Sequence, residues 1–275
     1  MMTIERILLT TNLTPHSDRA TERAVQLALQ FGADLSVLYA IQPAAGQPAS
    51  PYDRLSAHDI EAEMRRHVMA VPAAAALSPF VSALRGPVEE VAASYAESWK
   101  ASLLVAGVHR GDSLRDLFAV TTVERISVAS EVPLLVVRNK PFRPYASALV
   151  PVDLREASRP GIAAALSLIP QGSVSLLHIL DIPGAAGSPA PTADELQAEF
   201  AALLDGMAVG QQAIGTSVRH GPTMREIVEA AHADMPDLLV MGTAARRGFG
   251  RALIGSTAHE VLEHLPSDVL LVRAP

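Results

Sequence analysis

The fold is decided by one stretch near the end of the chain, residues 237–257, which read DLLVMGTAARRGFGRALIGST. The apolar run from Leu238 to Met241 is typical of a buried β-strand. Gly242 opens a glycine-rich loop that closes at Gly255, and a helical pattern then runs from Ser256 to Leu265. A strand, a loop and a helix in this order indicate an α/β unit.

The same pattern occurs earlier in the chain, where residues 102–122 read SLLVAGVHRGDSLRDLFAVTT. Gly107 falls on Gly242 at an offset of 135 residues. Near the N-terminus the offset is 141, which places Leu9 to Leu13 on Val150 to Leu154. The chain is therefore predicted to be a tandem repeat.

A length of 275 residues also suits two domains. Pro141 and Pro144 interrupt the pattern between Asn139 and Tyr145. We expect the boundary there, with residues 1–140 forming one domain and residues 146–275 the other.

Each half contains five apolar runs rich in β-branched residues, which predict strands. These runs are Arg6 to Thr11, Asp34 to Ala40, Phe80 to Leu84, Leu103 to Ala106, Pro133 to Val137, Ala148 to Val152, Ser173 to Ile179, Thr216 to Arg219, Leu238 to Met241 and Val269 to Val272. Helical patterns separate them, and such alternation favours parallel sheets covered by helices on both faces. We predict two doubly wound α/β domains, each a five-stranded parallel sheet with the strand order 3-2-1-4-5.

Local signals mark the ends of the first helix and the loops after the second strands. Ser17 is the candidate N-cap of the first helix, and Gly32 is its candidate stop. The segments Gln42 to Pro51 and Asp181 to Thr192 are rich in Pro, Ala and Gly, which predicts flexible loops inserted at one face of each domain.

Composition excludes several classes of protein. The apolar fraction is 49%, but the longest apolar run, Val68 to Leu77, is too short to span a membrane. Only Ile7 to Leu9 follows the charged N-terminus, too short a run for a secretory signal, so we predict a cytoplasmic protein with no membrane partner. The absence of cysteine excludes disulfides and thiolate metal sites, and the net charge of −7 argues against a nucleic-acid partner.

Ligands of an open parallel sheet bind beyond the carboxyl ends of the strands, where the strand order reverses. In the order 3-2-1-4-5 this crevice separates strands 1 and 4. In the second half those strands end in Pro151, Val152 and Asp153 and in Met241, Gly242 and Thr243. Glycines let an anion approach the backbone, the helix start offers unpaired N–H groups, and Arg246, Arg247 and Arg251 add positive charge.

Each of these features also has a purely structural interpretation. Ser256 or Thr257 could cap the following helix, with Glu260 completing a capping box. Asp153 could end its strand or cap a helix, and the arginines could be solvated. Their convergence on one crevice favours a binding function.

On these residues the chain resembles the universal stress protein family in its tandem two-domain form. The family's nucleotide-binding pattern is Gly-x2-Gly-x9-Gly-(Ser/Thr), and here Gly242, Ala245, Gly255 and Ser256 occupy its positions, with alanine in place of the second glycine. The resemblance implies that Asp153 hydrogen-bonds adenine, that the loop holds ribose and phosphates, and that Ser256 contacts the distal phosphates. The implied ligand is ATP, or AMP or ADP, with Mg²⁺ accompanying a triphosphate. The predicted site comprises Pro151, Val152, Asp153, Met241, Gly242, Thr243, Ala245, Arg246, Arg247, Gly255, Ser256 and Thr257.

The first half departs further from this pattern. Arg110 stands where the second glycine belongs, and Val120 and Thr121 replace Gly255 and Ser256. Two of the loop arginines are replaced by carboxylates that would repel phosphate, Asp112 and Asp116. Asn12 replaces Asp153. We expect this half to hold no nucleotide.

Three functions are compared on these grounds. The first is a stress-response regulatory protein that binds an adenine nucleotide in its second domain, and the alternative is a nucleotide-free scaffold; both act through unidentified protein partners. An enzyme has the least support, because no nucleophile elbow, Walker loop or His-x3-His pair is present. We expect no catalytic residues, no metal site in the protein itself, and at most weak ATP hydrolysis.

The fifth strand of each half is predicted at a sheet edge and lacks an internal charge that would block pairing. The family resemblance implies that fifth strands meet antiparallel across a twofold axis. In a tandem chain this predicts an intramolecular pseudo-dimer with pseudo-twofold symmetry, and further association to a homodimer is not required to cover these edges.

Overall fold

The structure is a computed structural model that describes residues 2–42, 51–107, 114–180, 191–243 and 265–273. The chain divides into two units, Thr3–Pro144 and Tyr145–Pro275. Each unit is an α/β domain of five strands that pair in parallel.

The first unit alternates strands and helices throughout. Its elements are β1 (Arg6–Thr10), α1 (Asp18–Phe31), β2 (Asp34–Ile41), α2 (Ala57–Met69), β3 (Phe80–Arg85), α3 (Val88–Ser98), β4 (Leu103–Gly107), α4 (Leu114–Ala129) and β5 (Leu134–Val137). Short 3₁₀ helices lie at Pro15–Ser17, Pro51–Arg54 and Pro72–Ala76. The strands are ordered β3-β2-β1-β4-β5, and all neighbours pair in parallel.

The second unit repeats this arrangement. Its elements are β6 (Ser147–Val152), α5 (Arg159–Leu168), β7 (Ser173–Leu180), α6 (Ala193–Leu204), β8 (Ala213–His220), α7 (Thr223–Asp234), β9 (Leu238–Thr243) and β10 (Asp268–Arg273), with a 3₁₀ helix at Glu156–Ser158. Its sheet order is β8-β7-β6-β9-β10, again parallel. The predicted doubly wound α/β class and the strand order 3-2-1-4-5 are therefore confirmed.

The core explains why these runs form strands. The central strands β1 and β4 are buried along almost their whole length, as expected where helices cover both faces of a parallel sheet. The edge strands are more exposed, and β8 is the least buried, since all its residues are at least partly exposed. Its apolar signal is weak, and the sequence predicted only Thr216 to Arg219 of it.

The first helix ends as predicted but begins differently. Gly32 adopts a left-handed conformation (φ 62°) and terminates α1. Ser17 stands at the N-cap, but its side chain makes no capping hydrogen bond. Its hydroxyl donates instead to Asn12 Oδ1 at 2.7 Å, so the predicted capping role of Ser17 is wrong.

The predicted inserted loops are described only at their ends. Most of each predicted inserted loop, at positions 43–50 and 181–190, lies outside them. Thr192, at the end of the second loop, caps α6. Among the described residues, no helix combines the length and apolar character needed to cross a bilayer.

Candidate functional site

The carboxyl ends of β6 and β9 lie side by side at the point where the strand order of the second unit reverses. The two strands pair in parallel through Ala148 with Leu238 and Leu149 with Leu239. Six of the predicted site residues end these strands or follow them directly: Pro151, Val152, Asp153, Met241, Gly242 and Thr243. The other six, Ala245, Arg246, Arg247, Gly255, Ser256 and Thr257, lie outside the described residues.

Asp153 is held in one orientation by a tight turn. Its Oδ1 accepts a hydrogen bond from the Arg155 N–H at 3.1 Å and another from the Ser158 hydroxyl at 2.6 Å. The Asp153 N–H donates to the same hydroxyl at 3.1 Å. Within the described part of the chain, Oδ2 has no hydrogen-bond partner, and the residue is exposed. The turn therefore fixes the carboxylate through Oδ1 and leaves Oδ2 without a partner among the described residues.

The residue after Asp153 has a strained backbone. Leu154 has φ 59°, in the left-handed region that side-chain-bearing residues rarely adopt. This conformation turns the chain so that the Arg155 N–H can reach Asp153 Oδ1. Strain of this kind persists where the surrounding hydrogen bonds determine it, and it is common at binding sites.

His178 lies beside this turn and was not among the predicted site residues. His178 is the sixth residue of β7 and is the register partner of Val152. Its Nδ1 lies 2.9 Å from the Val152 carbonyl oxygen. The sequence could have indicated this residue only by comparison of the two halves. The second strand of each unit has a different side chain at its sixth position, Tyr39 in β2 and His178 in β7.

Ser158 was also missed as a site residue. It lies five residues after Asp153, as Ser17 does after Asn12. This repeated spacing was visible in the sequence, but the first serine was interpreted as a helix cap.

The first unit keeps the turn and changes the groups it presents. Asn12 Oδ1 accepts from the Thr14 N–H at 3.1 Å and from the Ser17 hydroxyl at 2.7 Å, and Leu13 has φ 56°. The turn is thus the same, with a carboxamide in place of the carboxylate.

The two units differ more in the gap between their first and fourth strands than in the turn. In the first unit β1 and β4 pair through four residues, up to Thr10 with Ala106, and the Thr10 hydroxyl also donates to the Val105 carbonyl at 3.3 Å. In the second unit only two pairs form, and Pro151 occupies the position of Thr10. Proline has no N–H to donate to the neighbouring strand. The carboxyl ends of β6 and β9 are therefore not paired with each other, although each remains paired with its other neighbour.

Gly242 lies near the carboxyl end of β9. A Cβ added there would meet no described atom within 4 Å. Packing among the described residues therefore does not require glycine at this position.

A separate cavity of about 470 Å³ lies against α5. Its lining residues are Glu156, Arg159, Pro160, Ala163, Leu166, Gly206, Met207 and Ala208. None of them belongs to the predicted site. Among the described residues no group of three His, Asp or Glu side chains could hold a metal ion.

The strand order, the repeated turn and the glycine at the end of strand 4 agree with a match to known proteins. The model of the universal stress protein family matches the chain twice, over residues 3–138 and 144–273. This chain belongs to the universal stress protein family. It is a tandem member, with one family domain in each half.

One sequence relative and two solved structures are similar to this universal stress protein. The chain is 28% identical over 147 residues to "Universal stress protein MJ0531" of Methanocaldococcus jannaschii, which covers 48% of this chain and 84% of the relative. A universal stress protein from Archaeoglobus fulgidus superposes with a TM-score of 0.69 at 16% identity, covering 99% of this chain and 97% of that one. The functionally unknown protein PA1789 of Pseudomonas aeruginosa gives a TM-score of 0.63 at 18% identity, covering 99% and 94%. These solved structures support the fold over almost the full chain.

Proposed function

We propose that this universal stress protein is a stress-response regulator whose second domain binds one adenine nucleotide in the crevice between β6 and β9. The ligand is ATP, or AMP or ADP, with Mg²⁺ accompanying a triphosphate. The observation that carries the proposal is the Asp153 carboxylate, which is fixed by its turn and has one oxygen without a partner among the described residues.

The chemistry of a carboxylate suits adenine. A carboxylate oxygen only accepts hydrogen bonds, and the exocyclic amine of adenine only donates them. Guanine presents a carbonyl oxygen at the corresponding position, which Asp153 would repel. The open oxygen of Asp153 would therefore select adenine over guanine.

The opposite side of the crevice suits phosphate. Gly242 offers backbone without a Cβ, and the glycine is not explained by packing among the described residues. In the sequence it is followed by Arg246, Arg247 and Arg251 and by the Gly255–Ser256 pair. Positive charge and close backbone approach are what a phosphate needs.

The first domain is proposed to remain empty. Its Thr10 closes the gap between β1 and β4, and its loop has Val120 where the second domain has Gly255. Its contribution would then be to protein contacts.

The test compares two matched variants by calorimetry with ATP. Gly255→Val copies Val120 into the second domain and should abolish binding, because a branched side chain would occupy the space of a phosphate. Val120→Gly makes the reverse change and should leave binding unaltered. Circular dichroism and thermal melting would establish that both variants fold.

Undiminished affinity in folded Gly255→Val would remove this site from consideration. Mass spectrometry of the denatured purified protein would reveal a nucleotide that co-purifies with the chain. If the wild type neither carries nor binds a nucleotide, the nucleotide-free scaffold takes the place of this proposal. Cytoplasmic location, the domain bounds 1–140 and 146–275, the pairing of the fifth strands and homodimer formation stay predictions from the sequence.

A further inference from the structure

His178 contacts the last backbone carbonyl before Asp153. Its Nδ1 lies 2.9 Å from the Val152 oxygen. A carbonyl oxygen can only accept a hydrogen bond, so Nδ1 must carry the hydrogen. The contact thereby fixes the tautomer of the neutral ring, in which the hydrogen lies on Nδ1 and Nε2 has none.

The other side of the same peptide group is held as well. The Asp153 N–H donates to the Ser158 hydroxyl at 3.1 Å, and this hydroxyl donates to Asp153 Oδ1 at 2.6 Å. The peptide between Val152 and Asp153 is therefore anchored through its carbonyl by His178 and through its N–H by Ser158. The plane of this peptide sets the direction in which the Asp153 side chain leaves the backbone.

The described residues of the first domain show the counterpart of the Ser158 anchor but have no imidazole at the position of His178. The Asn12 N–H lies 3.4 Å from the Ser17 hydroxyl, which matches the Ser158 contact at a longer distance. At the position of His178 stands Tyr39, which has no ring nitrogen and whose hydroxyl donates to Asp53 Oδ1 at 2.8 Å. The imidazole anchor is thus specific to the domain that carries the carboxylate.

We propose that His178 is a positioning residue for Asp153. Its Nδ1–H holds the Val152 carbonyl, so that the open oxygen of Asp153 keeps the orientation needed for an adenine amine. The role in base selection rests on the proposed function, whereas the anchoring itself does not.

The anchoring can be tested without any nucleotide. Long-range ¹H–¹⁵N correlation spectra of the full chain should show His178 as the Nδ1–H tautomer in its neutral form. In His178→Ala the peptide loses the hydrogen bond to its carbonyl, so its N–H should separate from the Ser158 hydroxyl more often. Hydrogen exchange of the Asp153 amide should therefore accelerate about tenfold, if the free energy of one hydrogen bond is lost from this turn. An Nε2–H tautomer, or unchanged exchange in His178→Ala, would overturn the proposal.

Two conservative variants separate positioning from simple packing. Asparagine can place its N–H close to the position of Nδ1, whereas glutamine places it close to that of Nε2. His178→Asn should therefore keep slow exchange at Asp153 and the preference for ATP over GTP, and His178→Gln should lose both. Equal losses in the two variants would reduce His178 to a packing residue and overturn the proposal.

Tyr39→Phe is the matched control in the first domain. It removes the hydrogen bond to Asp53 and should change neither Asp153 exchange nor base preference. Failure of the wild type to bind ATP in calorimetry would refute the proposed function, while the tautomer and the exchange rates would still decide whether His178 anchors the turn.

Discussion

The first strands of the two domains end in the same turn but present different groups at its tip. β1 ends at Thr10 and is followed by Thr11 and Asn12, whereas β6 ends with Pro151 and Val152 and is followed by Asp153. In both domains the tip side chain accepts a backbone N–H two residues later, and a serine hydroxyl five residues later donates to it. The turn is therefore part of the fold, and the difference between domains lies in the few side chains that the turn presents.

The two leucines with left-handed backbone conformations, Leu13 and Leu154, lead to the same conclusion. Leu13 and Leu154 carry almost the same strain, with φ 56° and 59°. Because the domain we expect to be empty retains this conformation, the strain alone does not indicate a ligand. The carboxylate, the proline and the histidine are specific to the second domain.

Exchanging the strand-end residues Thr10 and Pro151 should have the largest effect. Thr10→Pro removes a ladder N–H and the hydroxyl bond to the Val105 carbonyl, and it should lower the free energy of unfolding by about 2 to 4 kcal/mol. The measurement is chemical denaturation monitored by circular dichroism.

Pro151→Thr is the reverse exchange and should close the second crevice. Threonine can donate its N–H and its hydroxyl across to β9, so ATP affinity should fall about tenfold while stability rises. Calorimetry and melting temperature report the two quantities. If ATP binds Pro151→Thr as well as it binds the wild type, the break in the ladder is not part of the site.

Removing the side chains of Asp153 and Asn12 in turn should separate nucleotide recognition from the stability of the fold. Asp153→Ala should lower the preference for ATP over GTP about tenfold, because adenine loses its acceptor. Asn12→Ala removes the corresponding turn contacts and should leave nucleotide binding unchanged. Both variants should lose a similar amount of stability. Equal losses of ATP and GTP affinity in Asp153→Ala would make this residue a structural element of the turn.

The sequence predicted the fold well because the fold depends on long, repeated signals. All ten strands are in place. The buried strands were predicted most fully, because strands covered on both faces require continuous apolar runs, whereas the exposed β8 was predicted only in part. The site was predicted less completely. Ser17 was mistaken for a helix cap, because the spacing alone does not show that its hydroxyl bonds Asn12 instead. His178 was missed because a single histidine in a strand carries no local signal, and its role depends on the register of β7 against β6.

A smaller effect on stability is expected from removing the N-terminal caps of α2 and α6, the helices that follow the second strand of each unit. α6 begins with a capping box in which Glu195 accepts from the backbone N–H and the hydroxyl of Thr192, and these bonds lower the pKa of the Glu195 carboxyl. α2 begins with the Ser56 hydroxyl accepting the Asp59 N–H at 3.2 Å. Thr192→Ala should lower the melting temperature by roughly 2 to 4 °C, and Ser56→Ala by no more than that.

The pH dependence of this effect follows from the sign of the shift. The folded-state pKa of Glu195 lies below its unfolded value, so its contribution is fully present above the unfolded value and is lost as the pH falls through the folded one. The difference between wild type and Thr192→Ala should therefore shrink in acid. A difference that grows as the pH falls would contradict this account of the cap.

The central claim is that only one of two similar crevices holds a nucleotide. Equilibrium dialysis of the full chain against labelled ATP measures the number of molecules bound per chain directly. We predict one ATP per chain at saturation. Two would show that the closed crevice of the first domain also binds, and none would show that neither does; either result would contradict the account.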